Sequence, residues 1–302
     1  MTMPMEGKAD THCHTKYSGM TKVSILRFPD SVSEPAAVVK AAEREKLNVL
    51  CVTDHNTIRG GIEAKKIASS VEIVVGEEVR TSCGDLIGIF LNENIKMGLS
   101  PEETVDIIHS QGGLAIAAHP FSAHCESLGL KIFDLKIDGV ELFNAAQRDG
   151  YANATAQKLV ENKLNIAQIG ASDAHTPDMV GNAFTTFEGS SAEDLRKAIL
   201  QKRTRWGGNV TPLKEFVWMT AITAAEMEFI LARSLLGRPL TGDSDVELAV
   251  SKIRAISKAV SLVGATAFMF PPFLYLTAVA GDRIHKSEAR RIAARFSDQA
   301  KG

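Results

Sequence analysis

The chain has 302 residues with 34 basic and 36 acidic side chains, and it is 45% hydrophobic and 23% charged. This composition is that of an ordinary globular protein and excludes disorder, collagen and a disulfide scaffold. The charge is uneven, since residues 1–212 carry 22 basic and 27 acidic side chains whereas residues 213–302 carry 12 and 9. An acidic first part argues against an extended nucleic-acid groove and suits a site for several divalent cations.

The four cysteines lie far apart in the chain, and the sequence contains no C-x-x-C pair, which argues against a zinc ribbon and against a redox motif. The first ten residues, MTMPMEGKAD, contain no apolar stretch of the kind found in secretory signals. We therefore expect a cytoplasmic protein whose thiols are reduced.

Short apolar runs alternate with helical stretches from Lys8 to about Gly189, and these runs are predicted strands. Several of them (VLCVT, IVV, LAIAA) are apolar on both faces, which is typical of strands buried in parallel sheets. The predicted strands are Lys8–His14, Val49–His55, Ile73–Val79, Leu86–Leu91, Leu114–His119, Gly139–Asn144 and Ile166–Ala171.

Helices are predicted between the strands from their start signals. Ser33 precedes the segment EPAAVVKAAE, which is rich in alanine, valine and lysine. The segment SPEE from Ser100 is a capping box with proline at the first helical position, and the segment SAED from Ser191 starts a last helix to about Gln201. Strand and helix alternating about seven times predict an α/β barrel.

The sequence changes character near Gly207–Pro212, where strands give way to helical segments rich in alanine and methionine. The segments EFVWMTAITAAEMEFILARSLLG and VELAVSKIRAISKAV are predicted helices on either side of a turn region, GRPLTGDSD. We predict a barrel domain at residues 8–206 and a helical C-terminal domain at residues 213–302.

Histidines and carboxylates cluster at the ends of the predicted strands. Asp10, His12 and His14 alternate in the first strand, so all three side chains point to the same face. Four of the later strands end in TDHN, GEE, AHP and SDAH. In a parallel α/β barrel the carboxyl ends of the strands share one rim. Since imidazole and carboxylate groups are metal ligands, the sequence predicts a multi-metal site at this rim.

The motifs DTHCH, TDHN, GEE, AHP and SDAH, in this order, resemble the PHP (polymerase and histidinol phosphatase) family of metal-dependent phosphoesterases. The resemblance covers roughly residues 8–206. It implies a distorted (β/α)7 barrel, here followed by a helical C-terminal extension. It also implies hydrolysis of phosphoester bonds with two or three divalent metal ions, which would be Mn, Zn or Fe.

The resemblance also assigns roles to individual residues. Asp10 would orient a ligand rather than bind metal, while Asp54 and Asp173 are candidates for moving a proton. Glu77 is predicted to face away from the site. Arg148, after the sixth predicted strand, is a candidate for binding the substrate phosphate. The metal ligands implied by the resemblance are His12, His14, His55, Glu78, His119, Asp173 and His175.

Two positions depart from the family pattern. The stretch from Thr15 to Met20 offers no ligand where members often have an Asp or His for a third metal ion, and Asp85 stands where a histidine is frequent. We therefore expect a two-metal core, with His55 and His175 able to hold a weaker third ion. Such a pair of cations lowers the pKa of a water molecule, and the resulting hydroxide attacks phosphorus in line.

An uncharged apolar stretch of 23 residues occupies positions 259–281. Its length suits one membrane-spanning helix, but Pro271 and Pro272 would break that helix near its middle. Basic residues flank both sides, which fits both ends remaining cytoplasmic. The sequence predicts either a hairpin that dips into the membrane, or two helices that pack on each other or form a dimer interface.

The sequence thus favours a cytoplasm-facing, metal-dependent phosphoesterase that acts on a phosphomonoester, a nucleotide or a 3′,5′-bisphosphate. A 5′→3′ exonuclease on DNA or RNA oligonucleotides is the alternative with the same chemistry. A different class of function is a catalytically weak, PHP-like anchoring module. A third is another metallohydrolase reaction such as amide hydrolysis, for which some enzymes require a lysine on a barrel strand.

Overall fold

The computed structural model describes residues 6–23, 26–240, 245–268 and 271–299. The first part of the chain folds into strands and helices in the following order: β1 (Glu6–Asp10), β2 (Met20–Val23), β3 (Leu26–Pro29), α1 (Pro35–Arg44), β4 (Val49–Val52), α2 (Arg59–Lys65), β5 (Glu72–Arg80), β6 (Asp85–Ile89), α3 (Pro101–Ser110), β7 (Leu114–Ala117), β8 (Gly139–Asn144), α4 (Ala152–Lys163), β9 (Ala167–Ala171), β10 (Ala183–Glu188), α5 (Ala192–Leu200) and β11 (Arg205–Gly208). A 3₁₀ turn, Gly129–Phe133, precedes β8. The rest of the chain is helical: α6 (Leu213–Leu235), α7 (Asp245–Ser251), α8 (Ala255–Phe268) and α9 (Pro271–Gln299).

Nine strands form one sheet in the order β11-β10-β1-β4-β5-β6-β7-β8-β9, which curls into a nearly closed barrel. All seven predicted strands are present, as β1 and β4 to β9, and the predicted distorted barrel is confirmed. The ends of the sheet meet where the Thr185 hydroxyl of β10 bonds both backbone groups of Gly170 in β9, at 2.9 and 3.0 Å. The antiparallel strands β10 and β11 were not predicted.

Strand β6 runs antiparallel to both of its neighbours, β5 and β7. On either side of it the neighbouring strands are parallel: β1, β4 and β5 in one set, and β7, β8 and β9 in the other. A tight turn at residues 81–84 joins β5 to β6, and its Gly84 has a φ of 144°. A Cβ at Gly84 would lie 2.5 Å from the backbone of Ser127, so only glycine fits. Because β6 is reversed, its first residue, Asp85, pairs with Arg80 at the end of β5 and therefore lies at the rim.

A second hairpin, β2 and β3, lies between the first strand and α1 and was also not predicted. At its base the Asp30 N–H donates to the Gly19 carbonyl at 3.0 Å, so the chain returns to the point at which it left the barrel. The hairpin also reaches the C-terminal helices, because Phe28 packs in a cluster with α6 and α7 side chains such as Met227 and Val246.

The helix starts follow the sequence signals. The Ser100 hydroxyl accepts a hydrogen bond from the Glu103 N–H at 3.2 Å, and the Glu103 carboxylate accepts one from the Ser100 N–H at 3.1 Å. This is the predicted capping box of α3, and Ser191 and Asp194 form the same arrangement at the start of α5. Such a cap stabilises a helix by about 1 kcal/mol.

The C-terminal helices begin next to the predicted boundary, with α6 starting at Leu213. Their small core contains Ala224, Met227, Ile230 and Leu231 of α6 with Val246 and Val250 of α7. Helix α9 returns to the barrel, where the ring of Phe296 lies 5.0 Å from that of Phe121 in an edge-on contact. The division into two domains at these residues remains a prediction.

The predicted membrane hairpin at 259–281 is not borne out. Within the described residues, no helix is both long enough and apolar enough to cross a membrane. The physical reason lies in the lengths and charges: α8 has only 14 residues, and α9, although it has 29, is charged from Asp282 onward. Residues 269–270 of the stretch lie outside the described residues.

Candidate metal centre

The first two imidazoles of the site follow β1 and face each other. The Nε2 atoms of His12 and His14 are 3.0 Å apart, and both rings are completely buried. On its other side the His12 Nδ1 lies 2.9 Å from a carboxylate oxygen of Glu141, and the His14 Nδ1 lies 2.9 Å from the hydroxyl of Ser18. Both rings are therefore fixed from behind, with their Nε2 atoms directed into the site.

Glu78, at the end of β5, is the carboxylate on which the other groups converge. Its Oε2 lies 3.1 Å from the His55 Nδ1 and 3.4 Å from the His14 Nε2. Its Oε1 lies 3.0 Å from the Nε2 of His119. When cations are bound, each oxygen of this carboxylate would be available as a ligand beside the imidazole groups next to it.

The last motif contributes Asp173 and His175 after β9. One oxygen of Asp173 lies 3.3 Å from the His14 Nε2 and 3.6 Å from the His12 Nε2. The Nε2 of His175 lies 3.2 Å from the Oδ2 of Asp30, which the β2–β3 hairpin brings back to the site. These contacts extend the site from the barrel interior toward the loop after β1.

Nine side chains from these segments form four overlapping groups of possible metal ligands, in each of which the ligand atoms lie within 4.8 Å of one another. Every ligand predicted from the sequence belongs to at least one group. Asp30 and Asp85 belong to the site as well and were not among the predicted ligands. The four groups are His12, His14 and Asp173; His14, Asp30 and His175; His14, His55 and Glu78; and Glu78, Asp85 and His119.

Burial and mutual attraction shift the pKa values of these groups strongly. Burial raises the pKa of Glu78, but the imidazoles of His55 and His12 outweigh it and hold the pKa well below its usual range. Burial lowers the pKa of His175, yet Asp30 outweighs it and raises the pKa to about 10. For His14, burial and the neighbouring His175 act together and lower the pKa to about 4. The carboxylates thus attract positive charge into a buried site.

Two of the candidate ligands lie on unusual backbone. The φ of His119 is 25° and that of Asp173 is 53°, values that non-glycine residues seldom adopt. The His119 N–H donates to a Glu141 carboxylate oxygen at 2.7 Å, and the Asp173 N–H donates to the His12 carbonyl at 2.9 Å. Positive φ values held in place by such bonds are typical of functional sites.

Glu141 is a buried residue of β8 that the sequence analysis missed. One oxygen contacts His12, and the other accepts hydrogen bonds from the His119 N–H and from the Asn144 side-chain amide, at 2.7 and 2.9 Å. Asn144 also donates to Asp173 at 3.2 Å. The signal was available, because a glutamate within the apolar strand GVELFN has to find polar partners in the barrel.

Several other predicted residues lie outside the four groups. Asp10 accepts hydrogen bonds from the N–H groups of Ser172 and Gly181 at 3.0 and 2.9 Å, so it orients the segment that carries Asp173. Asp54 accepts bonds from the Thr15 N–H and hydroxyl at 2.5 and 2.7 Å, and both partners lie in the loop after β1.

Glu77 and Arg148 also lie outside the four groups. Glu77 faces the other side of β5, where it is buried and accepts a bond from the Ile95 N–H at 2.9 Å. Arg148 bonds the Thr211 carbonyl, and its Nε lies 3.5 Å from Asp282 of α9.

The donor set fits divalent metal ions. If neutral His12 donates from Nδ1 to Glu141, its Nε2 presents a lone pair toward the Nε2 of His14, and a cation between them would relieve this contact. The His119 Nδ1 is buried without a hydrogen-bond partner in the described part of the chain. Imidazole with carboxylate suits Mn, Zn or Fe better than Ca.

Comparisons with known proteins bear on the family and the fold. A family model described as PHP-associated matches residues 150–204, which include Asp173 and His175. The uncharacterized protein MJ1587 of Methanocaldococcus jannaschii is 55% identical over 159 residues, which cover 52% of this chain and 93% of that protein. These findings support assignment to the PHP family.

Two solved structures share the fold. A two-domain protein of Bacteroides vulgatus, which contains a predicted PHP-like metal-dependent phosphoesterase, is 19% identical with a TM-score of 0.55. That match covers 68% of this chain and 66% of the Bacteroides protein, so the chain spans just under two thirds of that relative. The lesion-specific endonuclease PfuEndoQ of Pyrococcus furiosus is 18% identical with a TM-score of 0.51, covering 86% of this chain and 89% of that one.

Proposed function

We propose that this PHP protein is a metal-dependent phosphoesterase that hydrolyses phosphomonoesters or nucleotides. The observation that carries the proposal is the nine-residue cluster, because two of its groups share no residue and can each hold one cation. These are His12, His14 and Asp173, and Glu78, Asp85 and His119. A third position around Asp30 and His175 would share His14 with the first.

The cluster is open to solvent on one side. The side chains of His55 and His175 are 21% and 18% exposed, whereas those of the other cluster residues are nearly or completely buried. A phosphate ester would therefore approach over these two imidazoles. When bound, the cations would neutralise the phosphoryl oxygens and make a water molecule more acidic. Glu141 and Ser18 would keep His12 and His14 in place while the charge on the phosphoryl group changes.

A proton from the attacking water would pass to Asp173 rather than to Asp54. Asp173 lies within the cluster, with one oxygen near His12 and His14. Both oxygens of Asp54 are already bonded to Thr15, and a Cβ at Gly60 would lie only 1.8 Å from one of them, so the helix α2 covers this carboxylate. Asp54 would then serve to fix the loop that carries Ser18.

The other functions suggested by the sequence have less support. An inactive anchoring module would have no need for a buried donor set with Asp30 and Asp85 added to the predicted ligands. Amide hydrolysis of the type that uses a bridging lysine would need a buried lysine on a barrel strand, and among the residues whose side chains the structure describes the one buried lysine is Lys258 of α8.

The proposal is tested by incubating purified protein and Mn²⁺ with a short 5′-phosphorylated oligonucleotide and, separately, with a nucleoside monophosphate. Each reaction is repeated with a chelator. Release of inorganic phosphate without chain shortening supports a phosphomonoesterase, and mononucleotides appearing in order from the 5′ end would instead show a 5′→3′ exonuclease. Unchanged metal content and unchanged product formation in His12→Ala and Glu78→Ala variants would contradict the proposal.

A further inference from the structure

A basic groove lies on the barrel at the end opposite the metal centre. It is about 910 Å³ in volume and runs between the end of α4, the start of β9 and the start of β11. Gln168 lines the groove, and Asp173 of the metal centre follows the other end of the same strand, β9. Five residues of extended strand correspond to about 17 Å, so one small ligand could not occupy both places.

Four cationic side chains line this groove, and no acidic side chain does so among the described residues. They are Lys163, Lys202, Arg203 and Arg205, and all four are exposed. In the described part of the chain Lys202, Arg203 and Arg205 form no ion pair with a carboxylate. At least nine of the 27 acidic side chains of residues 1–212 are buried, so the surface of the barrel carries both signs of charge and the groove is a local concentration of positive charge. The three side chains that lack a carboxylate partner favour an anionic ligand.

One part of the groove lining is apolar and aromatic, beside the polar and basic side chains. Leu164 and Ile166 line it beside Trp206, whose indole is stacked on the ring of Phe143 at 5.0 Å with an angle of 5° between the planes. This stacking fixes Trp206 as a rigid wall. A ligand that fits must therefore combine an anionic end with a flat or apolar part, and the volume is that of a small-molecule site.

We propose that this groove binds a nucleotide, with its phosphates held by Arg203, Arg205 and Lys202 and its base against the apolar wall at Trp206. Guanidinium groups suit phosphate oxygens because they can donate two parallel hydrogen bonds. A long nucleic-acid strand fits less well, because the four cationic side chains of the groove would contact only a few phosphates of its backbone. The site is separate from the metal centre and serves as a second ligand site rather than as the substrate site.

The test uses the full-length protein with Trp218→Phe, so that Trp206 is the single tryptophan. A chelator keeps the metal centre from binding phosphate, and ADP is titrated while Trp206 fluorescence is followed. We expect saturable quenching. The double variant Arg203→Glu/Arg205→Glu should weaken ADP binding at least about tenfold, since two charge-assisted contacts are lost. The matched control, Lys40→Glu/Lys96→Glu, reverses two exposed charges elsewhere on the barrel and should leave the affinity within about twofold.

Several results would overturn the proposal. One is the absence of saturable quenching by ADP, and another is ADP binding to the groove variant as tightly as to the control. Binding of a single-stranded hexanucleotide far more tightly than ADP, with loss in the groove variant, would make the groove a path for a strand. A milder variant, Arg203→Gln/Arg205→Gln, is also prepared. Its circular dichroism and thermal melting show whether a loss of binding is due to unfolding. Phosphate release with Mn²⁺ should be the same in groove and control variants, which keeps this test independent of the proposed function.

Discussion

The barrel and the C-terminal helices differ in how many of their large apolar side chains are exposed. Among the described residues, four such side chains are exposed within 6–212, whereas twelve are exposed within 213–299. The most exposed are Leu236, Ile256, Val260 and Val263, at 68–72%. Three hydrophobic clusters consist mainly of barrel side chains, with Phe216 and Met219 of α6 and Phe296 of α9 packed against two of them, whereas the fourth and smallest consists mainly of α6 and α7 side chains. The barrel therefore buries most of its large apolar side chains, while the helices leave an apolar surface of the kind that marks interaction sites.

The two regions differ also in where they bury charge. The barrel encloses at least nine potential metal ligands together with Asp10, Asp54, Glu77 and Glu141. The buried charged groups of the described helices are Glu247 and Lys258, and the ammonium of Lys258 donates to the Ser234 hydroxyl at 2.7 Å. A buried charge is costly unless it is paired, so such groups concentrate where function requires them. The chemistry of the protein thus belongs to the barrel.

The largest effect should come from removing the carboxylate that joins the groups of the metal centre. We expect Glu78→Gln to lower phosphate release at least about a thousandfold, because the neutral amide can no longer offset the charge of two cations. Bound Mn per chain, measured by elemental analysis after gel filtration, should fall in parallel. The neighbouring variant Glu77→Gln, on the opposite face of β5, should retain both. Equal losses in the two variants would show that the effect is one of folding.

The contact between the two regions can be tested at Phe28. This ring belongs to the barrel hairpin but is buried among side chains of α6 and α7. Phe28→Ala should lower the free energy of unfolding by about 3 kcal/mol, as the removal of a buried phenylalanine leaves a cavity. Urea unfolding followed by circular dichroism measures this change. The exposed Phe229 provides the control, and Phe229→Ala should cost less than about 1 kcal/mol. Similar losses would mean that the helices are not held through the hairpin.

The sequence predicted the part of the site that depends on local periodicity. His12 and His14 alternate in the predicted first strand, although β1 ends at Asp10 and both lie just after it. His55, Glu78, His119 and Asp173 were each predicted at the end of a buried apolar run. Because parallel strands end at one rim, the convergence of these side chains could be predicted from the sequence alone. The capping boxes of α3 and α5 were likewise predicted from four-residue patterns.

What the sequence could not predict depends on the path of the chain between elements. Asp30 reaches His175 because an unpredicted hairpin reverses the chain after the first strand. Asp85 reaches the rim because β6 runs antiparallel, so that its beginning rather than its end lies there. The apolar stretch at 259–281 suggested a membrane hairpin because hydropathy alone does not show that one helix ends and a second, charged helix begins within it.

Glu141 allows a finer test of how the barrel supports its ligands. Glu141→Gln keeps the shape of the side chain but removes the negative charge behind the Nδ1 of His12. We expect the affinity for Mn²⁺ to fall by about 10- to 100-fold, because an orienting carboxylate makes an imidazole a better ligand. Metal titration of the stripped protein measures it. The exposed Glu188 gives a control, and Glu188→Gln should bind Mn²⁺ normally. Unchanged affinity in Glu141→Gln would contradict an orienting role.

The smallest effect concerns Glu77, where burial opposes stability. Burial raises the pKa of Glu77 from 4.5 to about 7, although the hydrogen bond from the Ile95 N–H lowers it in part. In the unfolded chain the carboxyl ionises at lower pH than in the folded protein. Its burial therefore lowers stability increasingly as the pH rises from 4.5 to about 7, and the cost stays constant above that pH.

Glu77→Gln cannot ionise, so the variant should match the wild type near pH 4.5 and be more stable at higher pH. The gain in the free energy of unfolding should be roughly 1–2 kcal/mol at about pH 8. This is less than the full pKa shift of Glu77 implies, because the glutamine amide also lacks a hydrogen-bond partner. Urea midpoints at the two pH values measure the gain, and the exposed Glu63→Gln should show no such dependence. A gain that is equal at both pH values would show that the charge of Glu77 is not its cause. A gain confined to high pH would show that the barrel gives up stability to hold the charge of Glu77 in its interior.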